Sequence, residues 1–202
     1  MGRMSKTVWV VLAVVAALVL LPVGCSVSTY NGLVGLDQQV QAQWAQVENV
    51  YQRRADLVPN LVETVKGAAA FEKETFTQVT EARSKVSSIQ LPAGGLTAEG
   101  LQQFQQAQDQ LSGALSRLMV VVEKYPDLKA TQNFRDLQVQ LEGTENRITV
   151  ERMRFNEVAQ QFNTQRNTFP NVIIAGFFGS KFADKGYFKA AAGADQAPKV
   201  QF

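Results

Sequence analysis

Past the first thirty residues, apolar positions recur at spacings of three, four and seven. Leu33, Val40, Trp44, Val47 and Tyr51 make one stripe, with Asp37 as its one polar discord. Val58, Val62, Val65, Ala69, Phe76, Val79 and Val86 make a second. Leu101, Phe104, Gln108, Leu111, Leu115, Leu118 and Val122 make a third, with Gln108 as its polar member. Phe134, Leu137, Leu141, Ile148, Phe155, Phe162 and Phe169 make a fourth. These are the periods of helices that bury one side, as in bundles and coiled coils.

Breakers separate the stripes. LPAGG at 91–95 is a turn, and Thr97 is placed to cap the third helix. Pro126 ends that helix, Asp127 is expected to cap the fourth, and the FPN beginning at Phe169 ends it. Within YQRRADLVPNLVETVKG at 51–67, Pro59 either turns the chain or bends one long helix, and the turn is favoured. On that reading Arg53 and Arg54 close helix one, where cations suit its dipole, and Asp56 caps helix two. Asn60 then bonds the turn backbone. The expected fold is all-α: an N-terminal transmembrane helix, an antiparallel four-helix bundle, and a short C-terminal helix or tail. The units are 1–25, 26–170 and 171–202.

The segment from Thr7 to Gly24 has eighteen residues and no charge. As a helix it extends about 27 Å, close to a bilayer core. Arg3 and Lys6 precede it and the first charge after it is Asp37, which predicts a cytoplasmic N-terminus and a body outside. An uncleaved anchor is favoured. A lipoprotein signal cut before Cys25, within LPVGC, is the main alternative and would leave acyl chains on Cys25; plain secretory cleavage is the third.

Composition narrows the chemistry. The chain has no histidine and one cysteine, which leaves no internal disulfide, no His-based triad and no ordinary zinc set. From Cys25 onward 18 basic residues balance 18 acidic ones, so no basic stripe argues for nucleic acid. The 22 glutamines suit long wet helix faces. Glu142 and Glu145 share a face without matching acids elsewhere, so no di-metal carboxylate site is expected, and no cofactor. Glu145, Arg152 and Asn156 fall roughly on one side of the fourth helix, and Arg152 is a candidate for pairing with a carboxylate on a neighbouring helix. Asn163 and Asn167 are candidates for interhelical contact. The run from Val172 to Phe178 is too short to span a bilayer. It is expected to cap the bundle or to dip into the membrane interface with Phe177, Phe178, Phe182, Tyr187 and Phe188. The terminal APKVQF is read as a frayed end or a docked peptide.

Several pieces resemble the LemA family: YNGLVGLDQQV at 30–40, AQW at 42–44, RRADLVPNLVETVKG at 53–67, YPDLKA at 125–130, NFRDLQVQLEGTENRI at 133–148, and GYFKA at 186–190. The chain departs from the family at Gln38 and Gln39, where a charge is common, and at Phe71, where a histidine is common. The resemblance implies one N-terminal membrane segment, a bundle of about four helices and no established enzymatic activity. Some members resemble proteins tied to specialised membrane compartments. The function expected is therefore a membrane-anchored scaffold or adaptor in the bacterial inner membrane, contacting other membrane proteins or copies of itself. Lipid binding or membrane remodelling, through an apolar groove or the aromatic C-terminal segment, is the alternative. The candidate partner surface, or fold-defining corner, is Arg53, Arg54, Asp56, Pro59, Asn60 and Glu63.

Overall fold

A computed structural model describes residues 6–67 and 72–189. All regular structure among them is helical. The helices are α1 (Lys6–Lys66), α2 (Lys73–Ser88), α3 (Ala98–Glu123), the single turn α4 (Pro126–Lys129), α5 (Gln132–Asn167) and α6 (Asn171–Phe177). Short 3₁₀ turns occupy Ala93–Gly95 and Gly179–Phe182. Arg3, Ala69, Phe71 and the terminal APKVQF lie outside the described residues.

The apolar N-terminal window and the body share one helix. α1 has 61 residues, a contour of about 90 Å at 1.5 Å per residue. Its first part is long and apolar enough to cross a membrane, and that window is wholly exposed. The remainder packs into the body, chiefly against α5.

The favoured turn at Pro59 is absent, because α1 runs straight through it. The buried positions Tyr51, Ala55, Val58, Val62 and Val65 keep one helical phase across the proline. Each buried valine or leucine contributes about 1.5–3 kcal/mol, enough together to outweigh the roughly 3 kcal/mol cost of an interior proline. Pro59 has no N–H to give the Ala55 carbonyl; Arg83 Nε of α2 donates to that oxygen instead, at 2.9 Å. α1 ends only at Lys66, seven residues past Pro59, and the next helix, α2, begins at Lys73. Arg53 and Arg54 therefore lie in mid-helix, Asp56 caps nothing, and Asn60 exposes its side chain while its carbonyl accepts from Thr64 Oγ1 at 2.8 Å.

Other boundaries agree with the breakers. Thr97 caps α3 by accepting from the Gly100 amide at 3.3 Å. α5 stops at Asn167, just before Phe169-Pro170. Its cap is Thr131 rather than Asp127, because Pro126 first starts the separate turn α4.

Two apolar cores are stacked along α1. The one nearer the apolar window gathers Leu33, Val40, Trp44 and Val47 with Phe104, Ile148, Phe155, Phe162, Phe182 and Phe188. The farther one gathers Val58, Leu61 and Val65 with α2, the second half of α3, Leu128 and Phe134.

Candidate functional site

Arg54 lies on the buried face of α1, one turn beyond Tyr51. Its side chain is only 2% exposed. Nη1 donates to Ser112 Oγ on α3 and to Glu145 Oε1 on α5, both at 2.9 Å. Nη2 donates to Gln108, reaching the side-chain oxygen and, at 3.3 Å, the backbone carbonyl. The guanidinium also stands 5.1 Å from the Tyr51 ring centroid. Among the described residues Nε has no acceptor. A buried charge is tolerable only when paired and bonded, and here α3 and α5 supply the partners. Glu145 remains 45% exposed, so one end of the network stays wet. Burial pushes the Tyr51 phenol above its ordinary 10.0, despite the opposing pull of Arg152 and Arg54.

The rest of the predicted cluster points the other way. Arg53, Asp56, Pro59, Asn60 and Glu63 are all exposed. Arg53, Asp56, Asn60 and Glu63 are three, four and three apart, so they form one polar stripe on the outside of α1. Gln52 Nε2 donates to Asp56 Oδ1 at 2.8 Å, and Lys66 Nζ lies 3.6 Å from Glu63. Cys25 is exposed and unpaired, immediately after the apolar window. Among the described residues Arg152 pairs with no carboxylate; it donates to the Lys189 carbonyl at 2.8 Å and covers the Phe188 ring. Glu142 accepts from Gln138 and does not join Glu145.

The tail forms a second constellation, which the sequence reading largely missed. After the 3₁₀ turn, residues 183–189 run without regular structure over α3 and α5. Three side-chain amides hold that backbone, each gripping the N–H and C=O of one residue. Asn163 takes Lys185 at 2.8 Å both ways, Asn156 takes Phe188 at 2.9 Å both ways, and Gln105 takes Lys189 at 3.3 and 3.0 Å. The Gly186 amide donates to the Leu96 carbonyl at 2.9 Å. A Cβ at Gly186 would sit 2.7 Å from the Thr97 carbonyl oxygen, which is why glycine is needed there. Phe188 fills a box made by Trp44, Phe104 and Phe155. Lys185, nearly buried, places Nζ 2.6 Å from Asp37 Oδ1, a contact that is an ion pair rather than an aligned hydrogen bond. Asp37 thus stops being a discord. The sequence signals were Asp37 itself, the polar pair Asn163 and Asn167, and GYFKA.

These elements leave an open cleft of about 700 Å³ beside the Arg54 network, with Tyr51, Phe104 and Gln108 in its wall and Glu48 and Gln90 at its rim. Among the described residues no group of three or more carboxylates or thiols stands close enough to hold a metal ion.

The model of the LemA family matches residues 43–202, which takes in the Arg54 network, the exposed stripe and the tail clamp. The chain is 27% identical over 179 residues to Magnetosome protein MamQ 2 of Paramagnetospirillum magneticum, covering 79% of this chain and 64% of that protein. It is 26% identical over 181 residues to Magnetosome protein MamQ of Magnetospirillum gryphiswaldense, covering 80% and 66%. Protein LemA of Metamycoplasma hominis is 25% identical over 145 residues, covering 72% and 63%. The chain thus spans just under two thirds of the length of these relatives.

Proposed function

The chain belongs to the LemA family, and on that premise we propose that it is a membrane-anchored helical scaffold that holds a protein-binding face away from a bacterial inner membrane. The observation that carries the reading is the continuity of α1: one helix includes both the apolar window and the spine of the body. A spanning segment that begins at Thr7 reaches the far edge of a bilayer core near Ser26, about twenty residues on. The stripe from Arg53 to Glu63 then stands some 40–55 Å farther along the same helix. Asp56 and Glu63 are met only by exposed neighbours on the same helix, Gln52 and Lys66, and Arg53 has no ion-pair partner among the described residues, whereas Arg54 beside them is spent on the fold. In this reading α1, α2, α3 and α5 form an antiparallel four-helix bundle. Contacts that run back along the chain as they climb α1 support that arrangement: Thr29 with Asn171 at the start of α6, then Gln43 with Glu151 and Arg54 with Glu145 on α5. Other membrane proteins or further copies of the chain are the partners, and the relatives named for the magnetosome favour a part in organising a membrane compartment. Arg3 and Lys6 put the N-terminus in the cytoplasm and the body outside. Cys25 stands where a lipoprotein signal would place its acyl chains, and the scaffold keeps its role with either anchor.

The test is a photo-crosslinking residue at Arg53 or Asn60 in the full chain in cells, with exposed Val139 on α5 as control. Adducts to membrane proteins or to the chain itself from the stripe, and few from position 139, are expected. Equal labelling at all three positions sinks the stripe as a partner surface. Protease added to spheroplasts is expected to cut the body; a protected body reverses the topology.

A second reading, membrane remodelling through the aromatic C-terminal segment, is narrowed by burial. Phe182 and Phe188 are packed inside the body, so only the residues around α6 stay available to lipid.

A further inference from the structure

Between Arg166 and Lys181 the chain has no charged residue. α6 lies in the middle of that stretch and turns only part of itself inward, burying Ala175. Its other side is apolar and open. Phe177 is 81% exposed, Phe169 just before the helix is 78% exposed, and Val172 and Ile173 are exposed as well. So much bare apolar surface on one small element marks a contact surface.

Its position identifies what the surface contacts. α6 is fixed to α1 at the point where the apolar window ends. Thr29 Oγ1 donates to Asn171 Oδ1 at 3.1 Å, and Tyr30 packs on Phe178 with centroids 4.7 Å apart. An almost wholly apolar cleft of about 420 Å³ opens between them, lined by Ser26, Val27, Tyr30, Ile174, Phe177 and Phe178. Counted along the helix from Thr7, Ser26 and Val27 fall at the edge of a core about 30 Å thick, and Tyr30 about 6 Å farther out, in the headgroup layer. Tyrosine is enriched at that depth. Lys181 Nζ caps the site by donating to the Tyr30 hydroxyl and standing over its ring, a cation at headgroup level. Val27 shares that cleft with Ile174, Phe177 and Phe178, and the exposed Leu20 and Val23 precede it on the same face of α1, three and four residues apart.

We propose that α6 with Phe169 is a membrane-seating wedge, lying in the boundary layer of the bilayer that α1 crosses and receiving lipid acyl chains in the cleft against Ser26, Val27 and Tyr30. This rests on the second reading above and gives it a site. The wedge adds a second attachment to the anchor. Two attachments fix the tilt and rotation of the body, which a single helix leaves free, and so fix the direction in which the stripe faces. The tail clamp that follows α6 holds the wedge from its other end.

The test uses the full chain in vesicles of phosphatidylcholine and phosphatidylglycerol brominated close to the headgroup. Trp9 in the unaltered protein reports the anchor. Trp9→Phe combined with Phe177→Trp reports the wedge, and Trp9→Phe with Val139→Trp is the control; Trp44 is common to all. The expected result is strong quenching of the indole at position 177, with emission roughly twofold below that of the control, as interfacial burial of 5–10 Å requires. Quenching at Trp9 but not at position 177 overturns the wedge and leaves the anchor standing. No quenching at either position removes the anchor and the wedge with it. Quenching at 177 that is weak in the unaltered Cys25 background and rises in Cys25→Ser assigns the cleft to the protein's own acyl chain, which carries no bromine, and overturns the proposal. Strong quenching at 177 that is unchanged by that substitution supports it.

Discussion

The polar residues that interrupt the apolar stripes have specific partners. Gln108 accepts from Arg54, and Asp37 faces Lys185. Each pair ties α1 to another part of the chain, so the polar residue selects a register that apolar packing alone would leave loose. Arg54→Ala is expected to cost about 3 kcal/mol, the lower end for breaking a buried pair because Glu145 stays wet. Arg54→Met should lose less, since it keeps volume and removes the buried charge. Thermal unfolding of the full chain in detergent, followed by circular dichroism, distinguishes them; equal losses would show that volume alone matters. Tyr51 supplies a pH signature. Its phenol is raised by burial, so above pH 10 the unfolded chain releases the proton more readily than the folded one. Stability from this residue is full below pH 10 and declines as pH rises beyond it. Tyr51→Phe should flatten that alkaline decline relative to the unaltered protein, and identical slopes would remove Tyr51 as its source.

At the level of elements, Pro59 shows what the sequence made legible. The stripe ending at Tyr51 and the one beginning at Val58 are seven apart, hence in phase, and that phase already favoured one helix. A proline rule based on local sterics pointed to a turn, because the acceptor it frees is visible only once Arg83 arrives from α2. Helix existence, the Thr97 cap and the stop before Phe169 depend on neighbours in sequence and were readable. The Arg54 network depends on residues 54 to 91 positions apart, and the amide clamps on the tail on residues 22 to 84 apart, which periodicity does not encode. If Arg83 serves to satisfy Ala55, the two sites must be coupled. Pro59→Ala restores the helical donor and is expected to raise stability by about 1–3 kcal/mol. Arg83→Ala should cost about 1 kcal/mol in the native background and close to nothing beside Pro59→Ala. Additive effects in the double variant would mean that Arg83 holds α2 by some other contact.

Across the whole molecule, the two cores are closed by different parts of the chain. The farther core closes through α2, α3 and the start of α5, while the nearer one is completed by the tail, which contributes Phe182, Phe188 and the Lys185 partner of Asp37. The tail is also the strap behind α6. Loosening it should therefore weaken the half nearest the anchor and leave the other half intact. Gly186→Ala makes that test with one methyl group, because its Cβ has backbone of Thr97 and Ala98 within 2.8 Å and no flexible side chain to displace. The expected outcome is loss of amide protection across 183–189 and faster exchange near Trp44, Phe155 and Phe162, with protection around Val62, Leu111 and Leu118 unchanged. Hydrogen exchange of the full chain in lipid nanodiscs, read by mass spectrometry, resolves these regions. Uniform loss of protection would mean that the two cores unfold as one unit and that the tail supports the entire body; no loss at all would mean that the backbone at Thr97 yields and the clamp is not needed. The half-molecule result alone fits a body whose membrane-facing end can be released while the face carrying Arg53 and Asn60 keeps its shape.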